Sequence, residues 1–109
     1  MADRIKLVQG DTRPQIQLTL TEEESGAAVD ITAATCKLYF RRTGSTTVLD
    51  TLDGIVNDGP NGVVTFPWNA NTLNVDAGSY EGEVEIVFSS GKKQTMYDVL
   101  KFTVREDFQ

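Results

Sequence analysis

Between Ile5 and Val104 apolar and polar residues alternate in short runs, and this period of two narrows the fold more than any other feature. A period of two sends successive side chains to opposite faces of a strand, so each run describes a sheet buried on one side. "RIKLV" puts Ile5 and Leu7 on one face, and "QIQLTL" does the same with Ile16, Leu18 and Leu20. "TCKLYFR" groups Cys36, Leu38 and Phe40, and "VVTFPW" groups Val64, Phe66 and Trp68. "YEGEVEIVF" groups Tyr80, Gly82, Val84, Ile86 and Phe88, and "VLKFTV" groups Leu100, Phe102 and Val104. "TTVLDTL" alternates less clearly and is expected at a sheet edge. No long window has helical periodicity, and "NANTLNVDAG" offers one short helical turn at most.

The breaks between runs have the chemistry of turns. Ser25-Gly26, Thr43-Gly44-Ser45, the Asn57–Gly62 stretch and Ser89-Ser90-Gly91 supply residues that tolerate positive φ or bond their own backbone. Pro67 marks an edge or the end of its strand. About seven strands in a chain of this length make an all-β protein, a single antiparallel sandwich spanning residues 1–109. "DAGSY" fits a tyrosine corner, in which a Tyr opening the sixth strand bonds back to the loop before it. Two residues later, where antibody domains carry a cysteine, stands Gly82. The expectation is therefore an immunoglobulin-like sandwich with no disulfide.

Charge placement agrees. Glu81, Glu83 and Glu85 face outward on the sixth strand, Lys37 and Arg41 on the third, and Lys101 and Arg105 on the seventh. In an immunoglobulin-like sheet the third and seventh strands flank the sixth, so opposite charges meet across it. The glutamates also make a nominal cation triad, but their exposed alternation reads better as a solvated, paired face.

Composition removes several function classes. The net charge of −6 and a pI near 4.5 oppose general nucleic-acid binding, which rests on neutralising phosphates. Mean hydropathy is −0.25 and no apolar run approaches a bilayer span, so no membrane partner is expected. Met1-Ala2-Asp3-Arg4 leads into the first strand with no secretion signal. The chain has no histidine, hence neither the commonest general base nor the commonest zinc ligand. Its one cysteine, Cys36, is in phase with Leu38 and Phe40 and reads as a core thiol. No phosphate-binding or nucleophile-elbow motif is present. The reading is a non-enzyme with no cofactor, no metal and no catalytic residue.

Three stretches remain as candidate sites. "QGDTRPQIQLTLT" opens with Gly10-Asp11-Thr12, either the rim of a metal or phosphate site or a corner feeding a strand; without a second ligand set it reads as a corner, capped by Asp11 or Thr12. "DGIVNDGPNG" resembles a calcium loop but lacks the regular acidic spacing and closing glutamate, and reads as a reversing loop. Glu22, Glu23 and Glu24 form an acidic run at a hairpin tip, a candidate docking point for a basic partner. Tyr39, Arg41 and Arg42 form a candidate aromatic-cationic interface, and Tyr97 and Trp68 are the other large residues suited to contact, Trp68 with the core as its default.

In order, "VQGDTRPQIQLTLT", "GAAVDITAATCKLYF", "NGVVTFPW" and "AGSYEGEVEIVFSSGKKQT" resemble the N-terminal domain of the phage baseplate upper protein family, over about Ile5 to Val104. The resemblance implies a β-rich structural component of a tailed-bacteriophage virion, docked in multiple symmetric copies onto other virion proteins of tail, baseplate or fibre. A capsid decoration protein on the phage head is the alternative within that class. The family's longer host-facing C-terminal region has no counterpart here, since the sequence stops at Gln109. Outside the class, a carbohydrate- or receptor-binding sandwich would need an exposed aromatic platform, for which Trp68 and three tyrosines are the material.

Overall fold

The computed structural model describes residues 4–22, 24–96 and 99–108. Among them nine strands form two sheets: β1 (Ile5–Val8), β2 (Ile16–Thr19), β3 (Thr35–Arg42), β4 (Val48–Asp53), β5 (Ile55–Asp58), β6 (Val63–Phe66), β7 (Gly78–Val87), β8 (Lys93–Thr95) and β9 (Leu100–Arg105). The first sheet runs β1-β9-β7-β3-β4, and the second β2-β6-β5. The ten-residue β7 is long enough for two partners on one side: β9 pairs with Gly78–Gly82 and β8 with Glu85–Val87. All pairs are antiparallel except β1 with β9. The expected third, sixth and seventh strands are β3, β7 and β9, adjacent as an immunoglobulin-like order requires.

The runs of period two bury the residues they nominate. Leu38, Phe40, Phe66, Ile86 and Phe102 are fully buried between the sheets. Phe40 sits at the centre of the aromatic core, 5.6 Å edge-on to Trp68, 5.1 Å stacked on Tyr80 and 5.6 Å from Phe102. Such ring pairs contribute about 0.5–1.5 kcal/mol each beyond the area they bury. Cys36 is buried and free, and desolvation pushes its thiol pKa up, which disfavours the reactive thiolate. Gly82 leaves room for its neighbours: a Cβ there would lie 3.0 Å from both Leu38 Cδ2 and Phe102 Cε2.

The tyrosine corner is present. Tyr80 is buried, and its hydroxyl donates to the backbone carbonyl of Asp76 at 2.5 Å. The opening Gly10-Asp11 stretch is a corner after β1, closed by backbone rather than by a side-chain cap. Gly10 has φ +78°, its N–H donates to Leu73 O, and Asp11 N–H donates to Val8 O.

Two strands lie where a loop was expected or no strand was read. β5 occupies the first part of the reversing loop, and all four of its residues are exposed, so alternation could not reveal it. β8 is three residues of Lys-Gln-Thr with nothing apolar to bury. Around "NANTLNVDAG" the chain makes turns and no helix.

Candidate interaction surface

β4 and β5 form one continuous edge from Val48 to Asp58 that passes from the first sheet to the second. Each strand is terminal in its own sheet. Gly54 is the corner between them: its N–H donates to Cys36 O at 2.9 Å. A Cβ there would meet Val64 Cγ2 at 2.8 Å and Phe66 Cε1 at 2.9 Å. Only glycine lets the chain press this closely on the core as it changes sheet.

Among the described residues five large apolar side chains are exposed, and four belong to this edge: Val48 (47%), Leu49 (49%), Ile55 (56%) and Val56 (36%). The register explains the first two. Phe40 pairs with Asp50 and Arg41 with Val48, so Leu49 is an extra residue and the bulge turns two consecutive apolar side chains outward. A second shift, between Val56 and Asp58, follows in β5. The edge is also held in shape. The Asp50 carboxylate accepts from Thr72 Oγ1, from Asn69 Nδ2 at 3.2 Å and from Thr51 N–H at 2.9 Å. Burial alone would raise the Asp50 pKa; these hydrogen bonds outweigh it and hold the carboxyl below its ordinary value.

The residues nominated as a site from sequence do not form one cluster. Tyr39 and Arg41 share the outer face of the first sheet. Tyr39 Oη donates to Glu85 Oε1 at 3.0 Å, and this hydrogen bond, with burial, raises the phenol pKa. Arg41 binds Glu81 Oε2 through Nη2 and Nε, each at 2.6 Å. Arg42 lies in the opposite phase, its guanidinium 5.3 Å over the Tyr80 ring, so it stands apart from that face. Glu22 and Glu24 are exposed at the hairpin tip after β2, where Thr21 bridges Ala28. Gln94 Nε2 donates to Glu22 Oε1 at 3.4 Å. Glu23 and Tyr97 lie outside the described residues.

The expected charge ladder is formed in part. Arg41 and Glu81 pair, but Lys37, in register with Glu85, instead bonds Asp53 of β4 at 3.1 Å. That partner raises the Lys37 pKa. Lys101 is in register with Glu81, whereas Arg105 pairs with Val8 of β1 and stacks on Phe108 at 4.9 Å. The weak alternation of "TTVLDTL" marks β4 as an edge strand, which it is, but not β5 nor the apolar exposure, which follow from sheet order and the bulge.

Among the described residues no group of three or more His, Cys, Asp or Glu side chains is placed to hold a metal ion. No helix among them is long and apolar enough to cross a membrane. Trp68, the best candidate for a sugar platform, is 7% exposed, and its indole N–H donates to Pro14 O at 2.7 Å. The carbohydrate-platform alternative is corrected on that ground.

No family model matches the chain, and no curated protein matches it. Among solved structures it is similar to CopC from Methylosinus trichosporium OB3b, with TM-score 0.54 and 12% identity over 96% of this chain and 88% of that chain. It is also similar to PcoC, a copper resistance protein from Escherichia coli, with TM-score 0.41 and 19% identity over 94% of this chain and 91% of that chain. The resemblance to the phage baseplate upper protein family is not upheld: no family model matches the chain, and the solved structure that shares its fold is that of CopC, not a baseplate protein. The virion function, its tail and capsid-decoration variants, the virion partners and the virion location rested on that resemblance and fall with it. The physical reason is that the quoted motifs are glycine turns followed by alternating strands, which any immunoglobulin-like sandwich displays in this order. What the likeness to CopC establishes is the fold: two sheets packed as an all-β sandwich.

Proposed function

We propose that the chain is a non-enzymatic protein-interaction module that docks through its β4–β5 edge. The observation that carries this reading is the concentration of Val48, Leu49, Ile55 and Val56 on one unpaired edge. Exposed apolar edges are aggregation sites unless blocked or covered, and natural edges use charged side chains, proline, bulges or short length as blocks. β1 carries Lys6 and β8 carries Lys93, whereas Val48 to Asp58 has no Lys, Arg or Pro; its aspartates and two bulges still leave four apolar side chains exposed. The Asp50 cluster fixes the strand before contact, which lowers the ordering cost of association.

Copper handling, which the printed name of PcoC attaches to that protein, does not fit the donors of this chain. Copper sites draw on imidazole, thiolate and thioether groups. This sequence has no histidine, its one cysteine is buried, and of its two methionines Met1 lies outside the described residues and Met96 packs half-buried against the core. Copper titration is expected to leave the thermal midpoint unchanged, and a rise saturating at one equivalent contradicts this reading.

The docking test is a pair of edge-blocking substitutions, Leu49→Lys and Ile55→Lys, made together. Both positions are exposed, so circular dichroism and thermal stability should match the wild type. A partner that co-purifies with the wild type from the cells the chain comes from, identified by mass spectrometry, should be lost from the double variant. The proposal fails if the same partner is retained in full.

A further inference from the structure

We infer that the seam between β2 and β8–β9 is a second binding site, which takes an extended segment of a partner protein bearing lysine or arginine. On this side the two sheets part and leave an open cavity of about 860 Å³. Its floor is Leu18, Leu20, Val84, Met96 and Leu100. Leu18 shares the inward phase of Ile16 and Leu20 yet stays half-exposed, facing this cavity.

One wall is a backbone ready to pair. Leu20 N–H donates to Gly62 O, which sets the direction of every backbone group along β2. N–H and C=O groups alternate sides along a strand. Ile16, Leu18 and Leu20 therefore point their backbone at β6. Gln17 and Thr19 point theirs to the outer side, where no strand among the described residues pairs with β2. An incoming segment would add a strand there, its main chain bonding Gln17 and Thr19 and alternate side chains entering the apolar floor.

Charge selects the occupant. Among the described residues the rim carries Glu22 and Glu24 and no basic side chain. Glu22 has one long contact from Gln94 across the mouth, leaving acceptor capacity for a cation. With a net charge of −6, a second copy of this chain would bring like charge to the rim. A cationic segment from another protein matches the walls, the floor and the rim together. This site is separate from the β4–β5 edge and stands on different residues.

The test uses the full chain and three synthetic peptides of about eight residues, read by NMR on assigned backbone amides. One peptide alternates valine and threonine with lysine at both ends. The second replaces lysine with glutamate. The third keeps the lysines but places proline at alternate positions, which removes the N–H groups needed for pairing. The lysine peptide should perturb and protect the Gln17 and Thr19 amides. Its affinity should exceed that of the glutamate peptide about three- to tenfold at low salt, with the advantage falling as salt rises. The proline peptide should leave those amides unmoved. Substituting Glu22→Gln and Glu24→Gln together should bring the first two peptides to within about twofold. The inference is overturned if no peptide moves Gln17 or Thr19, if the proline peptide moves them equally, or if the charge preference survives the double substitution.

Discussion

Removing the Tyr80 hydroxyl isolates the corner that fixes the start of β7. Tyr80→Phe keeps the ring, its stacking on Phe40 at 5.1 Å and the Arg42 guanidinium over its face at 5.3 Å. The loss is one hydrogen bond of 2.5 Å to Asp76 O. A net intramolecular hydrogen bond contributes about 0.5–1.5 kcal/mol. Asp76 is solvent-exposed, so water can reach the abandoned carbonyl and the loss should sit near 1 kcal/mol. For a chain of this length that lowers the melting midpoint by roughly 4 °C, measurable by differential scanning calorimetry or urea unfolding. The acceptor is backbone, which supplies a sharp control. Asp76→Ala retains the carbonyl and should change stability by less than about 0.5 kcal/mol. The reasoning is refuted if Tyr80→Phe melts with the wild type, or if Asp76→Ala is as damaging as Tyr80→Phe.

Two further outcomes follow from the backbone and from Asp50. Gly62 has φ +71°, and a Cβ there would lie 2.6 Å from Leu20 O and 2.8 Å from Val29 O. Gly62→Ala should therefore cost at least about 2 kcal/mol in urea unfolding, against about 1 kcal/mol for Gly44→Ala, where φ is +83° but no atom is within 4 Å. The Asp50 carboxyl is held below its ordinary value in the folded chain, so it stabilises the fold above the unfolded pKa of about 3.9. That contribution is lost as pH falls from there through the folded value, and Asp50→Asn should flatten the thermal midpoint against pH across this acidic range.

The sandwich was legible because burial on one face of a strand leaves a period of two, seen in "TCKLYFR" and "YEGEVEIVF". The corner was legible because Asp-Ala-Gly-Ser-Tyr combines turn residues with a Tyr at strand start, and its hydroxyl bonds back to that loop at Asp76 O. β5 was hidden because a strand exposed at all four positions has no pattern, and its Asn and Asp read as loop. Local charges were placed on the right faces, but Lys37 turned to Asp53 because β4 brings that carboxylate to its other side. The interaction edge was legible only in part: the weak alternation of "TTVLDTL" put β4 at a sheet edge but did not show which side chains it exposes. Val48 and Leu49 are ordinary strand residues until sheet order leaves β4 terminal and a bulge exposes both. Family identity failed where the motifs carried only fold information, since turn-and-strand order is common to unrelated sandwiches.

The docking claim is tested most directly by photo-crosslinking from single positions in the cells the chain comes from. A photoreactive phenylalanine analogue is placed in turn at Val48, Leu49, Ile55 and Val56, and at exposed Lys101 on the opposite half of the first sheet as control. The account predicts one discrete adduct, of the same protein, from the four edge positions and none from position 101. No adduct from any edge position, or the same adduct from position 101 in equal yield, would contradict it.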